Sequence, residues 1–171
     1  MKKFAKGLLA LVAAVMVVGC SKPVKLDFEK VVENVSEVTY VCEAGNEECP
    51  LETGDPIFGM MMPVDDEMLV SLFQINPENF EEYLFQYPMM IVHSSMYFIG
   101  KPAEGKEEVA KSEVDAFIAR WEEQWSTYLP AQYELVQNRL ETTVGDYLVY
   151  IISYNNEAVL EAIKASEAVT E

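Results

Sequence analysis

The chain is poor in the residues on which most enzymes rely. His93 is the only histidine, the cysteines number three, and 12 Lys and Arg stand against 29 Asp and Glu. One histidine makes a zinc centre hard to assemble, since such sites draw three or four ligands from Cys, His and carboxylate. Gly-rich phosphate loops are missing, as are H-E-x-x-H and G-x-S-x-G, and no acidic cluster follows the D-x-[DN]-x-[DN]-G calcium loop with its closing Glu. A net charge of −17 excludes nucleic acid as a partner, because phosphate repels it. No uncharged apolar run reaches the roughly 20 residues that a membrane-crossing helix needs.

What is present begins at the N-terminus. Met1-Lys2-Lys3-Phe4-Ala5-Lys6 is positive, and Gly7 to Gly19 is uncharged and almost wholly apolar, the pattern of a bacterial export signal over residues 1–19. Val17-Val18-Gly19-Cys20 resembles a lipobox, which implies cleavage before Cys20 and a thioether-linked lipid on that cysteine. Two or more acyl chains, palmitate for example, anchor stably where one does not. Cleavage removes Lys2, Lys3 and Lys6 but no acidic residue, taking the net charge from −17 to −20. An anionic membrane surface repels such a domain, so lipid on Cys20 and not charge must hold it there. Residues 20–25 are then a lipidated tether, residues 26–64 an N-terminal helix with an irregular segment, and residues 65–171 the main domain.

Cys42 and Cys49 remain as an even pair, which in an exported chain suggests a disulfide. Gly45-Asn46 supplies a turn between them, and so small a ring stabilises modestly.

Periodicity predicts a helix over 26–35, a short strand over 38–42 and an irregular stretch over 43–63. A helix opens at Asp65-Asp66-Glu67, with acidic residues matched to its dipole, and ends in turn chemistry at Asn76-Pro77. Strands are expected over 82–87 and 89–99, a loop over 100–105 and a long amphipathic helix over 106–129. A helical turn over 131–136, a hairpin of 140–144 with 147–154 and a final helix capped by Asn155 or Asn156 complete the chain. This order suits an α+β fold: an antiparallel sheet with helices packed mainly on one face, and a strand-strand-helix pseudo-repeat over 82–129 and 140–168.

Asp65 to Met68, Leu72 to Glu78, Tyr83 and Pro88-Met89-Met90 resemble the core pattern of the domain of unknown function 4358 lipoproteins of Gram-positive bacteria. Lys101, Val109, Ile118, Arg120, Gln124-Trp125, Tyr128 to Val136 and Gly145-Asp146-Tyr147 continue the likeness, which covers residues 65–165. It implies a lipid-anchored extracytoplasmic domain and supplies no catalytic residues. Phe73-Gln74 stands where Tyr-Gly is common in that family, and the Cys42 to Cys49 segment lies outside its pattern.

Among candidate chemical groups, His93 is expected on a strand, where one of Ser94 and Ser95 points away from it. The carboxylate pairs are too numerous to single out a site, although Asp55 with Asp65 and Asp66 offers a loose calcium arrangement. Trp121, Trp125, Tyr128 and Tyr133 read as core before they read as a stacking surface. Met60-Met61-Met62 and Met89-Met90 suit adaptable packing or an apolar interface better than a soft metal. No cofactor, metal or catalytic set is expected. The reading is a non-enzymatic binding or interaction module at the outer membrane face, with the membrane and an envelope protein as partners. A carboxylate-dependent cell-wall hydrolase, needing two acids about 5 to 9 Å apart, and a calcium-binding envelope protein are the alternatives.

Overall fold

Two strands carry no polar face. Met96 to Ile99 are buried without a break, and so are Tyr147 and Val149 to Ile152. Strands apolar on both sides need cover on both sides, and the computed structural model, which describes residues 24–42 and 49–168, supplies it. The predicted signal peptide, Cys20 and the tether as far as Pro23 lie outside the described residues, as does the Gly45-Asn46 turn.

The elements are α1 (Phe28–Ser36), β1 (Met61–Pro63), α2 (Asp66–Ser71), a 3-10 turn (Pro77–Asn79), β2 (Phe80–Pro88), β3 (Met96–Pro102), α3 (Glu107–Ser126), α4 (Pro130–Gln137), β4 (Leu140–Val144), β5 (Tyr147–Ile152) and α5 (Asn156–Lys164). The strands form one antiparallel sheet in the order β1-β2-β3-β5-β4. Side chains alternate along each strand. Phe85, Met96, Phe98, Tyr150 and Ile152 therefore share a core with Leu69 of α2, the α3 stripe and Val136 of α4. Tyr97, Ile99, Tyr147, Val149 and Ile151 share another with Val31 and Val35 of α1 and Val159, Leu160 and Ile163 of α5.

Local chemistry fixes the helices. Asp65 Oδ1 accepts from Met68 N–H at 2.8 Å to start α2, and Asn155 Oδ1 accepts from Ala158 N–H at 3.1 Å to start α5. Pro130 opens α4, a position where its missing N–H costs nothing. α1 and α5 are joined by Asn34 Nδ2 donating to Ser166 Oγ at 2.8 Å, beside a bridge between Leu26 and Glu167.

The α+β class stands, with several corrections. Helices cover both faces, α2 to α4 on one and α1 with α5 on the other, where mainly one face was expected. The repeated strand pairs meet at β3 and β5, but α3 and α5 that follow them lie on opposite faces. A two-fold axis normal to the sheet would put both on the same face, so the strand-strand-helix repeat carries no such symmetry. Residues 38–42 hold only a bridge from Thr39 to Pro56, while a short edge strand lies at 61–63 inside the stretch expected to be irregular. Met89 to Ser95 form bends and a turn, not a strand, and Gly100 to Pro102 extend β3 instead of forming a loop. Gly100 is needed there: a Cβ would lie 2.7 Å from a Phe80 ring carbon. Leu26, Val31, Val35, Ile57 and Phe58 share the second core, so α1 and the segment around Ile57 pack on the sheet.

Candidate functional site

The connection between β2 and β3 is the most apolar exposed part of the described chain. Pro88 has no N–H to offer, and the chain leaves the ladder there, turning through Met89 to Ser95. Ile91 is 85% exposed and Met60 66%, with Met89, Met90 and Val92 also exposed around them. Met89 N–H donates to Met60 O at 3.0 Å, so the segment before β1 and the turn form one surface.

A buried polar node pins the base of this tip. Ser94 N–H donates to Gln132 Oε1 at 2.8 Å, and the Ser94 hydroxyl lies 2.9 Å from Gln132 O and 3.1 Å from Oε1. Gln132 Nε2 donates to the Tyr154 hydroxyl at 2.9 Å, and Trp121 Nε1 donates to Ser94 O at 3.2 Å. The tip is thus tied to α3, α4 and the end of β5 while its own side chains stay in solvent.

The tip and the N-terminal end of the described chain lie at opposite ends of the sheet. Gly145, at φ +56° in the β4–β5 turn, packs so closely on Val24 that an added Cβ would lie 2.5 Å from Val24 Cβ. That turn sits beside Gly100, which pairs with Leu148, whereas the tip adjoins Met96, which pairs with Ile152. The length of β3 separates them, roughly 20 Å at about 3.3 Å per residue.

A second feature lies on the α1 side of the sheet. A groove of about 340 Å³ is lined by Val32, Val35 and Ser36 of α1, by Pro56, Phe58 and Gly59, and by Met61, Gln86 and Tyr97 of the sheet. Burial pushes the Tyr97 hydroxyl well above its ordinary ionisation range. Gln86 escapes sequence reasoning because it occupies a polar position in an alternating strand. Its register opposite Tyr97 leaves no local signal.

The remaining candidates are dispersed. Cys20 lies outside the described residues. Cys42 and Cys49 are joined as a disulfide, with Cα atoms 5.9 Å apart. His93 sits in the tip turn, its N–H donating to Met90 O at 3.2 Å, and not on a strand. Trp121 and Trp125 are core residues, Tyr133 packs against that core, and Tyr128 is exposed. Asp55, Asp65 and Asp66 are engaged separately: Asp55 accepts from Glu52 N–H, Asp65 caps α2 and Asp66 accepts from the Tyr83 hydroxyl at 2.7 Å. Among the described residues no three His, Cys, Asp or Glu side chains converge to hold a metal ion.

Several carboxylates act instead as acceptors for tyrosines. The Tyr150 hydroxyl donates to Asp115 at 2.6 Å and the Tyr147 hydroxyl donates to Glu82. Burial first, and these hydrogen bonds second, raise both phenols, Tyr147 to about 12. One acidic groove, lined by Glu81, Glu104, Glu107 and Asp146, also contains Lys101, which is paired with Glu81. Among the described residues no helix is long and apolar enough to cross a membrane.

These features define an α+β domain with helices on both faces of its sheet and a run of consecutive exposed apolar residues, Met89 to Val92, at one end. The family model described as Domain of unknown function (DUF4358) matches residues 57–153, and the chain belongs to that family. The matched span holds the five described strands with α2, α3 and α4, and leaves out α1 and α5. No curated protein and no solved structure matches the chain.

Proposed function

We propose that the protein is a membrane-anchored extracytoplasmic lipoprotein that works as a non-enzymatic interaction module, presenting the Met60, Met89 to Val92 tip to an envelope protein. The observation that carries this reading is the position of the tip at the far end of the sheet from Val24. Lipid on Cys20 would hold the Val24 end at the bilayer, since four residues reach at most about 14 Å. The tip then faces away from the lipid. An apolar surface turned toward solvent and held by a buried node suits a protein partner better than a bilayer. Methionine suits such a surface because its flexible side chain adapts to the partner. The Cys42–Cys49 disulfide agrees with an oxidising location.

Two measurements test the reading. Cys20→Ala should lose palmitate labelling and release the protein from the membrane fraction; retained labelling would refute the anchor. A photo-cross-linker at position 91 in intact cells should give a discrete protein adduct that Met89→Lys abolishes. Adducts to lipid alone, or adducts unchanged by Met89→Lys, would refute the interaction surface.

A further inference from the structure

Gln86 and Tyr97 are paired across the β2–β3 ladder and open onto the same groove. Gln86 is 8% exposed and Tyr97 3%, so each side chain has given up most of its contact with bulk water. Neither side chain has a hydrogen-bond partner among the described residues. Trp125 Nε1 is the one described side-chain polar atom sealed from solvent without a partner, so the polar atoms of Gln86 and Tyr97 reach the groove. With no partner in the protein, both groups take their hydrogen bonds from whatever occupies the groove, water or a ligand.

We propose that this groove is a binding site for a small uncharged molecule that carries a carboxamide or peptide group between apolar substituents. The inference is independent of the tip and of the anchor. The amide of Gln86 offers a donor and an acceptor in one plane, and the partner that satisfies both is another amide. Tyr97, held neutral by its surroundings, adds a hydroxyl that donates or accepts at any physiological pH. None of the nine lining residues is charged, in a chain where 41 residues are Asp, Glu, Lys or Arg. A charged ligand would lose its hydration there without a counter-charge. Val32 and Val35 with Phe58 and Met61 supply apolar walls for the substituents. The volume of about 340 Å³ falls at the small end of ligand pockets, the scale of one capped amino acid.

Saturation-transfer NMR on the full chain in lipid nanodiscs tests the proposal, with N-acetyl-L-leucinamide as the probe and N-acetyl-L-leucine as its charged counterpart. The expected result is saturable binding of the amide, at least tenfold weaker binding of the carboxylate, and at least tenfold loss of amide binding in Gln86→Leu. Tyr97→Phe, which keeps the ring packed on Phe58, should lose threefold or more. Thermal melting separates binding from structure: Gln86→Leu removes an unbonded amide and should melt no lower than wild type. Absence of saturable binding, equal affinity for the two probes, full binding by Gln86→Leu, or a fall of several degrees in its melting temperature would each overturn the assignment.

Discussion

Gln132→Leu tests whether the tip is held as described. In the wild-type fold Gln132 Oε1 is the acceptor for Ser94 N–H, and Ser94 is fully buried. Leucine fills a similar volume and leaves that N–H without a partner, at a cost of about 1 to 3 kcal/mol. The Ser94 hydroxyl keeps the backbone oxygen of residue 132 at 2.9 Å, and the half-buried Tyr154 hydroxyl rebonds to water, so neither adds much. Better apolar burial returns a fraction of the loss. The net expectation is about 2 kcal/mol of destabilisation, or about 4 to 8 °C in melting temperature for a domain of this size. Urea unfolding followed by tryptophan fluorescence is the natural assay, because Trp121 belongs to the node. The midpoint should fall with the slope unchanged, and amide exchange at Met89 to His93 should quicken. A Gln132→Leu protein within about 0.5 kcal/mol of wild type, with the tip as protected as before, would show that Gln132 does not hold it.

Two further perturbations test separate parts of the fold. Gln74 has φ +56°, a conformation that costs a residue with a Cβ about 1 to 2 kcal/mol. Gln74→Gly should therefore stabilise by about 0.5 to 1 kcal/mol after the entropy of glycine is counted, and Gln74→Ala should not; equal melting temperatures for both variants would count against the strain. Alkaline pH should also unfold the protein. Tyr83, Tyr87, Tyr97, Tyr147 and Tyr150 are all raised, by burial first. The folded state holds those protons more tightly than the unfolded chain, whose tyrosines ionise near pH 10. Stability is therefore complete below about pH 10 and is lost as pH climbs toward about 12 for Tyr147. A urea midpoint that stays constant from about pH 8 to about pH 11.5 would contradict this.

The helices and hairpin were legible because their signals are local. Asp65 caps α2, Asn155 caps α5, Pro130 opens α4, and the α3 stripe repeats at helical spacing. The misplaced strand boundaries have a physical cause. Met89 to Val92 look like a strand because apolar composition does not distinguish a buried ladder from an exposed turn. Gly100-Lys101-Pro102 look like a loop, yet the ladder extends to Pro102 opposite Phe80, and the close ring contacts at Gly100 explain the glycine. The second helical layer did leave a trace: Met96 to Ile99 in β3 and Val149 to Ile152 in β5 lack polar alternation, which signals cover on both faces. The departure from the resembled pattern at Phe73-Gln74 falls on a strained position, since Gln74 is the described non-glycine residue with positive φ.

Helices cover both faces of the sheet but not its two edges, which differ. β4 alternates Glu141 and Thr143 outward, with Arg139 bridging Glu141 and Glu122; exposed charge of this kind discourages pairing by another strand. β1 is protected by other means, being three residues long and ending at Pro63, so its surroundings can remain apolar without inviting strand addition. The groove and the tip both adjoin that edge: Gly59 and Met61 line the groove, and Met60 between them accepts the hydrogen bond from Met89. Binding at the β1 edge is the arrangement in which apolar exposure and resistance to aggregation are compatible.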